Sequence, residues 1–424
     1  MAHYDAIVIG GGAAGLAATR DLSAAGCDVL LLEARNRLGG RVHTLHEAGV
    51  AVPVELGAEF VHGAVEEVFR LVRGTHVLID RLPDRHEWSE RGKLRERADF
   101  WERTERILAR AAKTPHDVPF AQFLERSRIP AADRKLAARF VEGYHAADLE
   151  KVSSHSLASN DSEQQDEDDF PQFRIVTGYD SLLDVIRGGI DNEHAEVRTS
   201  TAVTRIAWRR GEVEVDARSG GGAEETHRAR AAIVTLPLGV LRSDAITWDP
   251  RPGALAAAAK LEMGNVCKIV FRFREPFWTP RTNFVHAAPP EFPTWWTHAP
   301  AVVPLLTAWS GGPSAARLLD MSDAQRIDRA LAAAARIFGV ERARIDGLFD
   351  GWWTHDWRND PFSRGAYSYV LAGGAGARKK LGTPAARTIF FAGEACDPEQ
   401  SGTVAGAIAT GRRAAMAARA MLLE

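Results

Sequence analysis

A glycine-rich turn between a short apolar strand and an alanine-rich helix constrains this chain more than any other feature. Residues 4–22 read YDAIVIGGGAAGLAATRDL, in which three glycines have the G-x-G-x-x-G spacing. A helical pattern follows the glycines to about Ala25, and residues 28–33 favour a second apolar strand. The order strand, glycine turn, helix and strand predicts a βαβ unit of a Rossmann-like sheet.

The glycine spacing suits the pyrophosphate of an adenine dinucleotide. Gly10 permits the tight turn, Gly12 lets the phosphates approach the backbone, and Gly15 lets the helix pack on the strand. Glu33 lies about 20 residues downstream, where a carboxylate binds ribose hydroxyls. An ordinary glycine-rich turn is the alternative, but the flanking strand and helix with Glu33 in register favour the dinucleotide site.

The next segment extends this site. Residues 34–41 read ARNRLGGR. Gly39 and Gly40 allow a second close approach of the backbone, and Arg41 offers positive charge to the pyrophosphate. A surface salt bridge is the alternative role of Arg41.

A second helix N-terminus is expected near the C-terminal end. Gly402 and Thr403 open a helical pattern that continues to Leu422. Free N–H groups and the positive end of the helix dipole suit an anionic group. A plain amphipathic helix capped by Thr403 is the alternative. A further helix is predicted over 324–338, with Ser322 as its cap.

The bulk composition excludes several function classes. The chain has 424 residues, 45% of them hydrophobic, which is enough for a large core and two domains. The formal net charge is −3 and there is no long basic block, so no nucleic-acid partner is expected. The chain shows no signal-peptide pattern and no apolar run of the roughly 20 residues that span a membrane, so a cytoplasmic location is expected. Cys27, Cys267 and Cys396 are widely spaced and predict neither a disulfide framework nor a metal site.

The order of elements predicts an α/β fold in which the dinucleotide-binding domain is discontinuous. Residues 1–77, 179–257 and 384–424 are assigned to this Rossmann-like domain. Residues 78–178 and 258–383 are assigned to an α+β substrate-binding domain. Within the second stretch, residues rich in proline and tryptophan are expected to be irregular, over 275–313.

Four segments together resemble the flavin-dependent amine oxidase family, which includes monoamine oxidases, polyamine oxidases and the lysine-specific histone demethylase. They are the N-terminal βαβ unit, ELGAEFVHG (55–63), LEMGNVCKIVFRF (261–273) and the C-terminal TIFFAGEACDPEQSGTVAGA (388–407). The stretch WRNDPFSRGAYSYV (357–370) is especially similar to the demethylase and polyamine oxidase branch. The resemblance covers nearly the whole chain.

The resemblance implies FAD, held by both ends of the chain. Ala366 stands where covalent monoamine oxidases carry a cysteine, so the FAD is expected to be non-covalent. The implied cofactor contacts are Gly10, Gly12, Ala13, Ala14, Gly15, Glu33, Ala34, Arg35, Gly40 and Arg41 around the ADP half, Val203 at the adenine, Gly57, Ala58, Glu59, Phe60 and Trp357 along the flavin, Gly393 and Glu394 near the ribityl and phosphate, and Thr403, Val404 and Ala407 near the isoalloxazine.

The resemblance also implies the chemistry. An amine would give hydride from its α-carbon to flavin N5, the resulting imine would be hydrolysed to a carbonyl product, and O2 would be reduced to H2O2. Lys268 resembles the family lysine that points at N5 through a water, where an ammonium favours O2 reduction. An exposed lysine on a half-buried strand is the alternative.

Aromatic residues are expected to frame the substrate. Tyr367 and Trp357 would form the frame, with Phe362 nearby in the same motif. Aromatic faces attract cations, and a dry site favours the neutral amine that hydride loss requires. Core packing is the alternative for each ring. Related proteins often carry an aromatic residue near Thr403 and a histidine at the position of Ala405, so the cage here is expected to have one aromatic wall.

Three further residues and one acidic segment are candidates for attracting or contacting the substrate. His62 would touch a distal amine and Glu59 would hold a cation near the flavin, with hydrogen bonding behind the site as the alternative for each. Thr403 would also contact the substrate. The acidic run DSEQQDEDD (161–169) would steer cationic amines or form a solvated loop.

Several different functions fit the same sequence. An L-amino acid oxidase of the same fold would need an arginine where this chain has Glu59 and Phe60. A flavin dehydrogenase or desaturase that avoids O2 is a second possibility, and a flavin-binding scaffold without catalysis is a third. The expected partners are a small-molecule amine and O2, without nucleic acid, membrane or metal, and no oligomeric state is specified.

Overall fold

The computed structural model describes residues 3–97, 100–158, 171–288 and 291–424. The acidic run 161–169 therefore lies outside the described residues. The strands are, in chain order, β1 (His3–Ile9), β2 (Val29–Leu32), β3 (Thr44–Leu45), β4 (Val54–Glu55), β5 (Phe60–His62), β6 (Ile79–Arg81), β7 (His86–Glu90), β8 (Lys93–Glu96), β9 (Gln172–Ile175), β10 (Ala195–Arg198), β11 (Thr201–Arg209), β12 (Glu212–Ser219), β13 (Glu224–Val234), β14 (Thr247–Asp249), β15 (Leu261–Met263), β16 (Val266–Phe273), β17 (Phe284–His286), β18 (Thr294–Thr297), β19 (Leu305–Gly311), β20 (Phe349–Thr354), β21 (Ser368–Val370) and β22 (Ile389–Phe391).

The helices are α1 (Ala13–Ser23), α2 (Glu66–Val72), α3 (Phe100–Ala112), α4 (Phe120–Arg126), α5 (Ala131–Tyr144), α6 (Tyr179–Gly188), α7 (Leu238–Leu241), α8 (Gly312–Leu319), α9 (Asp323–Phe338), α10 (Arg342–Leu348), α11 (Ala377–Leu381) and α12 (Val404–Leu422). Short 3-10 turns occur at Ser154–Ser156, Gly253–Lys260 and Glu394–Cys396. Across the described ranges, no helix combines the length and the apolar character that crossing a bilayer requires.

The first sheet is built from three separate stretches of the chain. Its strand order is β10-β2-β1-β13-β12-β11-β14, and β22 also pairs with β13. The pairs of β1 with β2 and with β13 are parallel, as is the pair of β13 with β22. All four residues of β2 are buried, as is typical of a parallel strand covered on both faces. The sheet confirms the predicted βαβ unit and the discontinuous Rossmann-like architecture, while the exact domain boundaries stay a prediction.

The second sheet has the order β20-β16-β19-β18-β17-β7-β8. The expectation that residues 275–313 are irregular was wrong, because β17, β18 and β19 lie within them. Pro293 and Pro304 stand directly before β18 and β19, so the prolines do not interrupt the ladders. Neighbouring tryptophans in β18 pack in different clusters: Trp295 with the sheet's own core, Trp296 with Phe284.

Close packing of two helices brings the chain ends together. α1 and α12 meet through small residues, including Ala14, Ala18 and Ala415. A Cβ on Gly411 would lie 2.1 Å from the backbone oxygen of Ala14, and a Cβ on Gly15 would lie 1.8 Å from that of Gly10. Only glycine permits these approaches, so the turn after β1 and the start of α12 are held against each other.

We expect Gly411→Ala to destabilise the protein by about 2–4 kcal/mol, because its methyl group meets rigid backbone. Gly347→Ala is the matched control, since Gly347 also lies in a helix but has no atom within 4 Å of the position that a methyl group would take. The control should leave stability unchanged or raise it by about 0.5–1 kcal/mol through helix propensity. Chemical denaturation of both variants measures the difference, and equal midpoints would contradict the packing argument.

Candidate active site

One continuous cavity of about 1270 Å³ joins the glycine turn to the second sheet. This volume exceeds the roughly 300–1,000 Å³ of a typical small-molecule site, so it has room for more than one ligand. Every residue that the sequence analysis named as a site residue lines it, except Gly15. Gly15 instead packs against Gly10, which is the structural role its position predicted.

At one end, the turn after β1 forms an open cradle. Gly10 has a φ of +107°, and the Thr235 hydroxyl, 2.9 Å from its carbonyl oxygen, holds it in place. The nearest atom to a Cβ on Gly12 would be 3.9 Å away, and no side chain caps the N-terminus of α1. Free helix N–H groups beside an open backbone suit a phosphate.

Glu33 completes this end of the cavity. Its Oε2 accepts a hydrogen bond from the N–H of Gly11 (2.6 Å), and its Oε1 accepts one from the N–H of Arg35 (2.8 Å). These bonds fix the carboxylate at the end of β2, beside the cradle. The position is the one expected for a carboxylate that binds a ribose.

The start of α12 opens on the same cavity. The Thr403 hydroxyl accepts a hydrogen bond from the N–H of Gly406 (3.0 Å) and donates one to the carbonyl of Gln400 (2.7 Å). Thr403 therefore caps α12, as predicted, and its hydroxyl is committed to that cap. Val404 and Ala407, in the first turn of α12, line the cavity.

Arg41 forms an ion pair within the protein. Its Nη1 donates to Glu394 Oε1 (2.9 Å) and to the carbonyl of Ala366 (2.7 Å). Burial opposes ionisation of Glu394, but the guanidinium groups of Arg41 and Arg378 and the Ser368 hydroxyl hold its pKa below the ordinary value. Arg41 thus ties the ELGAEFVHG side of the cavity to the C-terminal segment, and the phosphate role stays a prediction.

Phe362 lines the cavity, and its predicted contact with the substrate stays a prediction. The guanidinium of Arg35 lies 5.4 Å from the centre of its ring, and Arg35 also donates to Asp360 and Ser363. The side chain is 38% exposed. Phe362 therefore stacks on a residue of the dinucleotide end.

Lys268 is buried in the second sheet, one strand in from the edge strand β20. It lies on β16 opposite Trp309 of β19, and is 3% exposed, which rules out the exposed-lysine alternative. Its Nζ lies 2.8 Å from Glu59 Oε2 and donates to the carbonyl of Gly57 at 3.2 Å. The ammonium is therefore fixed against the Gly57–Glu59 segment, which lines the cavity.

Glu59 links Lys268 to a second buried cation. Its Oε1 accepts hydrogen bonds from Arg174 Nη2 (3.0 Å) and Trp296 Nε1 (2.9 Å). Burial alone would raise the pKa of Glu59, but Lys268 and Arg174 reverse this effect and lower it to about 2. The carboxylate expected to hold a substrate cation is thus already paired inside the protein.

The two predicted framing rings pack against different glycines. Trp357 is buried, donates Nε1 to the carbonyl of Leu56 (3.0 Å), and would lie 3.3 Å from a Cβ on Gly57. Tyr367 is half-buried, and its ring would lie 3.5 Å from a Cβ on Gly402.

The aromatic surface facing Lys268 is larger than predicted. We call Phe60, His62, Tyr144, Trp296 and Trp309 the aromatic wall, and all five line the cavity. Successive ring centres lie 5.3–6.2 Å apart for Tyr144 to His62 and His62 to Phe60, then 5.4 Å and 5.5 Å for Phe60 to Trp296 and Trp296 to Trp309. Tyr367 joins this wall through its hydroxyl, which donates to the carbonyl of Tyr144 (2.7 Å).

Four residues of this site were not predicted from the sequence: Arg174 and three members of the wall, Tyr144, Trp296 and Trp309. Residues 294–297 form a strand, in which successive side chains point to opposite faces. Reading them as a strand would have placed Trp296 on the face opposite to that of Trp295. Arg174 gave no local signal, because its position depends on the pairing of β9 with β5, which sets it opposite Phe60.

Comparison with known proteins agrees with this geometry. A family model described as flavin containing amine oxidoreductase matches residues 13–419. The chain belongs to this family. Polyamine oxidase 4 of Oryza sativa subsp. japonica is 28% identical over 98% of this chain and 89% of its own length.

Solved structures confirm the predicted α/β fold class of this amine oxidoreductase. A putrescine oxidase bound to putrescine superposes with a TM-score of 0.82 at 20% identity, covering 98% of each chain. Cyclohexylamine oxidase from Brevibacterium oxydans gives a TM-score of 0.82 at 19% identity, covering 99% of this chain and 100% of its own. The resemblance stated from the sequence is thereby confirmed.

We expect Glu59→Gln to destabilise the protein by about 3–5 kcal/mol at pH 7, because it leaves Lys268 and Arg174 buried without their anion. The folded-state pKa of Glu59 is about 2, below its ordinary 4.5. The stabilisation of the folded state by the Glu59 carboxylate is therefore fully present above pH 4.5 and is lost as the pH falls towards 2.

Denaturation as a function of pH measures this effect. Glu66→Gln is the control, since the Glu66–Arg70 pair is exposed and should contribute less than about 0.5 kcal/mol. As the pH falls from 4.5 towards 2, the free energy of unfolding of Glu59→Gln should decrease less than that of the wild type. If Glu59→Gln and Glu66→Gln lost equal amounts of unfolding free energy at pH 7, the proposed contribution of the buried network would be contradicted.

Proposed function

We propose that this protein is an FAD-dependent amine oxidase that converts an amine, O2 and water into a carbonyl compound, ammonia or a smaller amine, and H2O2. The observation that carries the proposal is the buried ammonium of Lys268, fixed beside the Gly57–Glu59 segment in a cavity that also receives two helix N-termini. Family membership and the amine-oxidising relatives support it.

The residues present fit FAD. The cradle of Gly10 and Gly12 at the uncapped start of α1 suits the pyrophosphate, and Glu33 suits a ribose. The start of α12 presents backbone N–H groups and a positive dipole end to the opposite part of the cavity. Ala366 offers no thiol for a covalent link, so the binding is non-covalent.

When bound, FAD supplies a two-electron acceptor for the hydride of the amine and a donor of those electrons to O2. The chain's own residues prepare the partners. The aromatic wall excludes water and favours the neutral amine, from which hydride is lost more readily. The Lys268 ammonium places positive charge where negative charge develops as O2 is reduced.

Anaerobic reduction tests the proposal directly. We expect the purified protein to be yellow, to release FAD on acid precipitation, and to bleach when mixed with an amine without O2. Admitting air should restore the colour and give one H2O2 for each amine consumed. The control is an L-amino acid set. Bleaching by amino acids but not amines would favour the amino acid oxidase, and a protein that stays apo with added FAD would refute the proposal.

Lys268→Met tests the oxygen step. We expect reoxidation of the reduced flavin by O2 to slow by about 10²-fold, because the charge that stabilises the reduced oxygen species is removed. Reduction by the amine should change much less. Stopped-flow absorbance follows both half-reactions separately.

Lys135→Met is the matched control, since Lys135 is exposed on α5 and does not line the cavity. It should leave both half-reactions unchanged. An unaltered reoxidation rate in Lys268→Met would remove Lys268 from the oxygen step and favour a dehydrogenase that uses another acceptor.

A further inference from the structure

We propose that the amine taken by this site carries a single amino group on an aromatic or alkyl body, and that diamines and polyamines are disfavoured. This inference rests on the proposed function and narrows it. It differs from what the names of the polyamine and putrescine oxidase relatives would suggest.

A second ammonium inside the cavity would need a carboxylate partner. Within the part of the chain that the structure describes, the buried carboxylates that line the cavity are Glu33, Glu59 and Glu394. Glu33 accepts from two backbone N–H groups, Glu59 is paired with Lys268 and Arg174, and Glu394 is paired with Arg41. All three are already neutralised or hydrogen-bonded by the protein.

The two indole N–H groups of the aromatic wall are engaged within the protein, whereas the buried Nδ1 of His62 has no hydrogen-bond partner. Trp296 donates to Glu59, and Trp309 donates Nε1 to the carbonyl of Gly143 (2.9 Å). Tyr367 donates to the carbonyl of Tyr144. These rings therefore present their apolar faces to the cavity, and the carboxylate that contacts one of them, Glu59, is already paired with Lys268 and Arg174.

Burial favours the neutral form of three histidines that line this part of the cavity, His62, His145 and His286. Burial lowers the pKa of His62 and of His145 to about 4, and lowers that of His286 well below its ordinary value. A neutral imidazole can accept a hydrogen bond from an ammonium, but it does not supply the negative charge that would neutralise a second ammonium in a buried site. An alkyl or aryl body, in contrast, gains from leaving water for this surface.

The outer rim of the cavity does not reverse this preference. Exposed side chains of both signs line it on α3, directly after α3 and on α5, including Glu102, Arg106, Lys113 and Arg139. Glu102 is paired with Arg106. The exposed Glu399 also lines the cavity, but water and salt screen an exposed charge strongly.

Amines that differ only by one terminal ammonium test the inference. The pairs are n-butylamine with putrescine and n-pentylamine with cadaverine, mixed anaerobically with the FAD-loaded protein. The change in flavin absorbance with amine concentration gives the Kd, and the rate of bleaching gives the reduction step. We expect the Kd of each monoamine to be at least tenfold lower than that of its diamine.

The outcomes separate the two proposals. Equal or tighter binding of the diamines would overturn the inference while leaving the oxidase intact. Selective binding of monoamines without any bleaching would support the inference about the ligand and overturn the proposed oxidation. Bleaching by both members of a pair at equal efficiency would likewise overturn the inference.

A matched pair of variants reports on the wall itself. His62→Glu adds a carboxylate to the aromatic wall, and His62→Gln adds a neutral group of the same shape. The glutamate variant should shift the ratio of the diamine to the monoamine Kd by at least tenfold in favour of the diamine, and the glutamine variant should not. No shift would contradict the placement of the substrate body along the wall. Should the glutamate variant fail to hold FAD, the wild-type comparison decides alone.

Discussion

The buried pair of Lys268 and Glu59 is the interaction on which the rest of the site depends. Removing two charges from water is costly, and the attraction between them compensates only when the remaining hydrogen-bonding groups are satisfied. Here both carboxylate oxygens are used, one by Lys268 and the other by Arg174 and Trp296. Lys268 also donates to the carbonyl of Gly57. The second sheet is thereby attached to the segment that follows β4, and the ammonium cannot turn away from the cavity without leaving Glu59 unpaired.

Small residues determine the shape of the end of the cavity at which the two chain ends meet. The glycines of the turn after β1 and of α12 let backbone approach backbone, so the two ends of a 424-residue chain face one cavity. Each end contributes a helix N-terminus, and the dipoles of both helices favour negative charge there. The Arg41–Glu394 pair fastens the same two ends electrostatically. The backbone at this end of the cavity is thus positioned by packing within the protein itself, and a preformed site lowers the entropic cost of binding.

The charges divide the cavity into two regions of different chemistry. The end near Glu33 has open backbone N–H groups and the guanidinium of Arg35, and suits polar and phosphorylated groups. The region around the aromatic wall has neutral histidines, engaged indole N–H groups and no unpaired buried carboxylate among the described residues. Beside that region, the single carboxylate of Glu59 lies between two cations, Lys268 and Arg174. This contrast suits the proposed combination of a polar cofactor with an apolar substrate body.

The sequence by itself determined the features that depend on local pattern. The βαβ unit, the Thr403 cap and the Ser322 cap of α9 follow from glycine spacing, side-chain type and periodicity, and all three are present. The resemblance of the motifs indicated the family and pointed to Lys268 as the candidate lysine beside the flavin.

Only the tertiary structure decided which charged groups meet. Arg41 lies on Glu394, Glu59 lies between Lys268 and Arg174, and Phe362 lies under Arg35, although each had another predicted role. The Glu59–Arg174 contact joins residues 115 positions apart. Such contacts depend on strand pairing and on the free energy of burying charge. Neither can be predicted from the residues that flank each partner in the sequence.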